Sequence, residues 1–202
     1  MSEYIKIMNF DHETGLYNFY QDLVNENTEL TMLDKQIDKN NSIEIITDLF
    51  ALDLNNRKMV RYLHKFLSNQ FKEIEKFKEL DAIYDSSIKL LDCINDGSYH
   101  LAYKDEFNIE ELLKLMDVKF NLTSVGLTEK LERYIQLLIE LSDIKYLFIF
   151  NSLHIIDKEG LEHIKHLITI NKITLIFVEI NLEIDHNFQI YYIDHNSIHI
   201  EK

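Results

Sequence analysis

Cations repeated along one helix face are the simplest way for a protein to meet a nucleic-acid backbone, and one stretch of this sequence supplies them. Within NNRKMVRYLHKFLSNQFKEIEKF (residues 55–77) stand Arg57, Lys58, Arg61, Lys65, Lys72 and Lys76, out of 21 Lys and Arg in all. At about 100° per residue they fall within an arc of about 100°. Beside them Met59, Val60, Leu63, Phe66, Leu67, Phe71, Ile74 and Phe77 make a broad apolar face, interrupted by Ser68 and Glu75. At about 1.5 Å per residue the stripe is almost 30 Å long, comparable with one turn of duplex DNA. Such a rod can neutralise several phosphates without reading bases. A solvated helix face held by Glu–Lys pairs has the same pattern, so the stripe alone leaves both readings open.

Catalytic chemistry finds less support. The run KYLFIFNS (residues 145–152) reads as a strand buried on both faces of a parallel sheet, ending in Asn151. Nucleotide hydrolases built on such sheets use a strand-end carboxylate to help hold Mg²⁺. Their phosphate loop needs glycines, a Lys and a Ser or Thr. The stretch NFDHETG (residues 9–15) has one Gly, no Lys and the acids Asp11 and Glu13; GxxxxGK[ST] occurs nowhere. No bound nucleotide and no enzymatic activity are therefore expected. His154, His163 and His166 surround one expected helix; His163 and His166, three apart, could share a face, but no third metal ligand suggests itself, and they read as solvated helix-face histidines. Cys93 reads as a small core hydrophobe, and Glu110-Glu111 as acids at a helix N-terminus. The string DCINDG (residues 92–97) begins like a calcium loop. Ile94 and Tyr103 occupy two of its ligand positions, and Asn95-Asp96-Gly97 is better read as a helix stop.

The elements that must position these residues follow from periodicity. Strands are expected at 4–8, 30–33, 43–49, 145–150 and 173–179. Helices are expected from a cap at Asp11 to 24, at 128–141, and from a cap at Asp157 to 168. The first of these helices aligns Leu16, Phe19, Tyr20 and Leu23. The tail IYYIDHNSIHI (residues 190–200) reads as a β-hairpin around residues 194–197. Long 3.6-residue patterns fill the middle. The expected architecture is an α/β domain with a mostly parallel sheet, residues 1–54 and 118–202, interrupted by a helical arm, 55–117. A single cysteine fits a reducing compartment. The start lacks a signal-peptide pattern and no apolar run reaches about 20 residues, so a cytoplasmic protein without a membrane span is expected. A net charge of −14 opposes nonspecific attraction to nucleic acid, so any DNA binding requires a local basic surface.

Several stretches together resemble one family. They are IEIITDLFALDLNNRKMVRYLHKFLSNQF (43–71), KYLFIFNSLHIIDKEGLEHIKHL (145–167) and ITLIFVEI (173–180). Thr47-Asp48, Asp53, Asn55, Leu63-His64, Gln70-Phe71 and the strand running into Asn151-Ser152 stand where that family's pattern has them. The chain is similar to the ring-forming, DNA-end-binding Csn family of CRISPR-associated adaptation proteins of type II-A systems. The resemblance implies a P-loop-NTPase-like domain without ATPase activity, plus a helical arm. It implies a homotetramer whose positively lined hole admits duplex DNA from a free end, independent of sequence, during spacer acquisition. Its partners would be the integrase pair and the type II effector nuclease.

It also implies calcium bound by acids before the last helix of the arm. Asp105, Glu106 and Glu111 stand at the matching places in KDEFNIEEL, while Leu101 and Tyr103 replace acids just upstream. A single weak site or none is the expectation. That the cationic stripe faces the hole is a hypothesis drawn from the residues. The alternative function is an assembly scaffold whose acidic surface recruits the adaptation enzymes without touching DNA.

Overall fold

The computed structural model describes residues 4–25, 31–32, 35–36, 38–73, 77–95, 97, 99–104, 108–121, 126–182, 189–193 and 198–201. In chain order the elements begin with β1 (Ile5–Phe10), α1 (Glu13–Val24), β2 (Thr31–Met32), β3 (Lys35–Gln36), α2 (Lys39–Ser42) and β4 (Ile43–Ile46). Next come α3 (Arg57–Glu73), α4 (Phe77–Asn95), α5 (Ile109–Leu115) and α6 (Leu127–Leu141). The chain continues with β5 (Tyr146–Phe150), α7 (Lys158–Asn171), β6 (Thr174–Ile180), β7 (Gln189–Ile193) and β8 (Ile198–Glu201). It divides into two compact units, one of Met1–Asp53 with Thr123–Lys202, the other Leu54–Leu122.

The first unit is an α/β sheet domain with strand order β4-β5-β6-β1-β7-β8. Neighbours are parallel from β4 to β7, and β8 closes an antiparallel hairpin with β7. The apolar runs of β5 and β6 are explained by burial on both sheet faces. On one face Phe10, Phe148, Phe150, Ile176 and Val178 form a core, onto which Leu16, Phe19, Tyr20 and Leu23 of α1 pack. The opposite face carries Ile5, Ile7, Leu147, Ile149, Leu175 and Phe177, all buried. Helices α6 and α7 contribute Leu131, Ile135, Leu138, Ile164 and Ile168 to the buried set. The Tyr134 hydroxyl of α6 donates to Glu44 of β4 at 2.7 Å. The fold class and the hairpin expected from the sequence are observed.

Several boundaries differ for local reasons. Asp11 does not cap α1. Its N–H donates to Ile193 O at 3.3 Å, which keeps it in the sheet, and the cap position passes to His12, which makes no side-chain cap bond. β2 pairs with β3 in a separate two-stranded sheet and does not join the main one. β4 ends at Ile46 because Asp48 turns the chain, its Oδ1 accepting from Phe50 N at 2.8 Å and Ala51 N at 3.3 Å. Asp157 caps α7 as expected, accepting from Gly160 N at 2.7 Å, and the helix runs on to Asn171. In the second unit α3 is described to Glu73 and α4 from Phe77, so Ile74, Glu75 and Lys76 of the expected helix lie outside the described residues. α4 stops at Asn95, before Gly97 at φ 82°. Cys93 is exposed and is not a core residue, because the flank of α4 that carries it faces solvent.

Candidate nucleic-acid interface

The orientation of α3 is set by polar ties. Asn56 Oδ1 accepts from the backbone N–H groups of Lys58 and Met59, each at 3.0 Å, which satisfies donors left over at the helix start. Asn55 donates through Nδ2 to Phe120 O at 3.0 Å and accepts from Phe120 N at 2.9 Å. About two and a half turns further on, His64 Nε2 donates to Val118 O at 2.9 Å. Both ties hold one side of α3 against the segment after α5.

The buried face that results includes Met59, His64 and Ser68. This differs from the apolar face expected from the sequence. Ser68, read as an interruption, is 3% exposed and its Oγ has no partner among the described residues, while Phe66 is 39% exposed. His64 and Ser68 are four residues apart and share a line. Pinning His64 turns that line inward and swings Phe66 outward by about 160°.

The same rotation leaves Arg57, Arg61, Lys65 and Lys72 exposed, with Lys58 half-buried and its Nζ 6.0 Å from the centre of the Tyr62 ring. From Arg57 to Lys72 the stripe is about 22 Å long, and Arg57, Arg61 and Lys65 follow one another at about 6 Å. Among the described residues no carboxylate pairs with Arg57, Arg61, Lys65 or Lys72. The Glu–Lys pairing of an ordinary solvated face is thus missing from the described stripe. Lys76 lies outside the described residues.

The carboxyl edge of the sheet, where open α/β folds bind small ligands, has a different chemistry. Only Asp11 and His12 separate β1 from α1. The buried Asn9 amide donates to Leu182 O and accepts from Leu182 N, both at 3.0 Å. Asn151, after β5, has φ 47° and donates its N–H to Val178 O at 2.9 Å. The next two amides, of Ser152 and Leu153, both donate to Glu179 Oε1 at 2.9 Å.

Glu179 is 3% exposed, and burial pushes its carboxyl above the ordinary range, opposed by those two amides and by His154. In the sequence Glu179 is visible only as an acid closing the apolar run ITLIFVE. A cleft of about 360 Å³ at the ends of β1 and β7 is lined by Phe10, Asp11, Asn181 and Tyr192 among others, with no Lys or Arg. The two amides that follow Asn151 are thus bonded internally to a buried carboxylate.

Of the acids matched to a calcium site, Asp105 and Glu106 lie outside the described residues. Glu111 does not offer a free carboxylate. Lys104 Nζ donates to its Oε1, and that bond holds the Glu111 carboxyl below the usual range. The Glu111 backbone N–H is taken by the Asn108 cap at 2.9 Å. Calcium takes about six to eight oxygens, and no group of three or more metal-ligating side chains occurs among the described residues. His163 lies 3.5 Å from Glu132, and His154 and His166 are exposed. No described helix is long and apolar enough to cross a membrane.

Comparison with known proteins places this geometry in a family. The chain is 27% identical over 165 residues to the CRISPR-associated protein Csn2 of Streptococcus agalactiae, covering 80% of this chain and 74% of that one. The family model described as CRISPR-associated protein (Cas_Csn2) matches residues 21–197, a span that includes α3, β5 and β6. With its parallel sheet, its Asn-ended β5 and its separate helical unit, the chain belongs to the CRISPR-associated Csn2 family.

Proposed function

We propose that this protein is a non-catalytic, sequence-independent binder of duplex DNA ends that acts in CRISPR spacer acquisition. In this reading four copies form a ring, α3 lines its hole, and DNA enters from a free end beside the integrase pair and the type II effector nuclease. The observation that carries it is the exposed line of Arg57, Arg61, Lys65 and Lys72 without acidic partners among the described residues. A local cationic rod also reconciles DNA binding with a net charge of −14, since phosphates respond to the field at their own distance and salt screens the rest.

The test compares binding to linear duplex DNA with binding to the same DNA as a closed circle, across a salt series. Strong linear and weak circular binding with a steep salt slope is expected. The double variant Arg61→Ala/Lys65→Ala should lower the slope of log K against log salt by about 1.8 per copy that engages DNA. An unchanged slope would remove α3 from the interface. Equal, weak binding to both forms would sink the ring reading in favour of a scaffold that recruits the adaptation enzymes through its acidic surface.

A further inference from the structure

Helix α3 breaks the rule that apolar side chains turn inward and polar ones outward. Ser68 is 3% exposed with no partner for its Oγ among the described residues, while nearby Phe66 is 39% exposed. A buried hydroxyl without a partner and a bared ring each cost free energy. Departures of this kind from local consistency gather at functional sites.

The phase of the helix shows what is gained. Measured from the line of His64, Arg57, Arg61, Lys65 and Lys72 lie within about 100° on one side, and Val60, Leu63, Leu67 and Phe71 within about 100° on the other. His64 therefore stands at the seam between the cations and the apolar face. Hydropathy alone would centre the buried sector on Val60 and Leu67, about 50° away. The helix is turned from that phase toward the cationic side, where Ser68 lies at about 40°. Phe66, at about 160° on the apolar side, is bared by the same turn. What opposes the hydropathic phase is polar. His64, 8% exposed, donates to Val118 O at 2.9 Å, and the Asn55 amide bonds both backbone groups of Phe120. At a radius of about 5–6 Å with side chains, a turn of about 50° displaces a side-chain charge by roughly 5 Å. A hydrogen bond to a phosphate oxygen does not survive such a shift.

We propose that His64 is a positioning residue for the DNA contact. Its bond to Val118 holds α3 in the phase that presents Arg57, Arg61, Lys65 and Lys72 to phosphates, against the phase that hydropathy favours. The role rests on the DNA-binding reading above. His64 acts here as a neutral donor, so a Gln side chain, whose Nε2 also donates, can take its place.

Two measurements on the full chain test it, one with DNA and one without. On linear duplex, His64→Leu should lower the slope of log K against log salt by about 0.9 for each cation per copy that leaves its phosphate. His64→Gln should restore the slope. A merely structural loss shrinks the active fraction, which shifts the line and leaves its slope unchanged. Without DNA, Ser68→Cys in a Cys93→Ser background should resist a thiol reagent while His64 is present, and react freely once His64→Leu is added. Parallel salt lines for the parent and His64→Leu would overturn the proposal, as would a Gln variant no better than the Leu one. So would a thiol at position 68 that reacts equally with and without His64. If the parent itself binds duplex with no salt slope, the DNA reading falls and the positioning role with it, while the thiol pair still shows whether the bond sets the phase of α3.

Discussion

A single carboxylate closes the edge of the sheet where related scaffolds do chemistry. Glu179 Oε1 takes two neighbouring amides at 2.9 Å while its carboxyl is pushed upward by burial. A group whose folded pKa is raised contributes stability that is fully present below its unfolded value and is lost as pH rises through its folded value. Glu179→Gln keeps an Oε1 for both amides and cannot ionise. Its melting temperature should exceed the parent's near neutral pH and converge with it in acid, in melts run from about pH 4 to 8. A gap that instead widens toward acid would reverse the assignment. Glu179→Ala orphans two buried amides and should cost about 1–3 kcal/mol for each. From the sequence, Asn151 and the apolar run before it were legible. The partner of the following loop was not, because it lies 26 and 27 residues away and depends on β6 pairing beside β5.

Helix placement depends on contacts as small as one methyl. At Gly160, in the first turn of α7, an added Cβ would lie 1.9 Å from Thr128 Cγ2 of α6. Gly160→Ala should therefore cost about 1–3 kcal/mol through overpacking. Thr128→Ser removes the offending methyl, so the double variant should recover most of the loss in urea unfolding. Equal loss in single and double variants would show that α6 and α7 do not pack this closely. α3 gives the complementary lesson. Its cations were readable as a stripe from spacing alone, yet its rotation was not. The polar ties of Asn55 to Phe120 and His64 to Val118 turn Ser68 inward, against what side-chain hydropathy predicts.

The first unit pairs a largely parallel sheet with edge chemistry that does not suit a triphosphate. A triphosphate near Asp11 would meet a carboxylate in place of a glycine-lined cradle, in a cleft whose described lining offers no cation. ATP with Mg²⁺ should accordingly leave the melting temperature unchanged. A saturable upward shift would mean that the cleft binds nucleotide.

Much about this protein is local in origin and was determined by the sequence itself. The apolar runs at β5 and β6, the Asp157 cap, the hairpin around residues 194–197 and the cationic periodicity of α3 each arise within a few residues of chain. Steric preference, hydrogen-bond need and hydropathic period act at that range. Tertiary structure decided what depends on distant partners. It placed β1 between β6 and β7, gave Glu179 to the amides after Asn151, and set Lys104 against Glu111. It also left Ile83, Leu90 and Ile94 of α4 bare. Burial and pairing belong to surfaces that meet only once the chain has folded, and a linear pattern can name which side chains are able to meet but not which ones do.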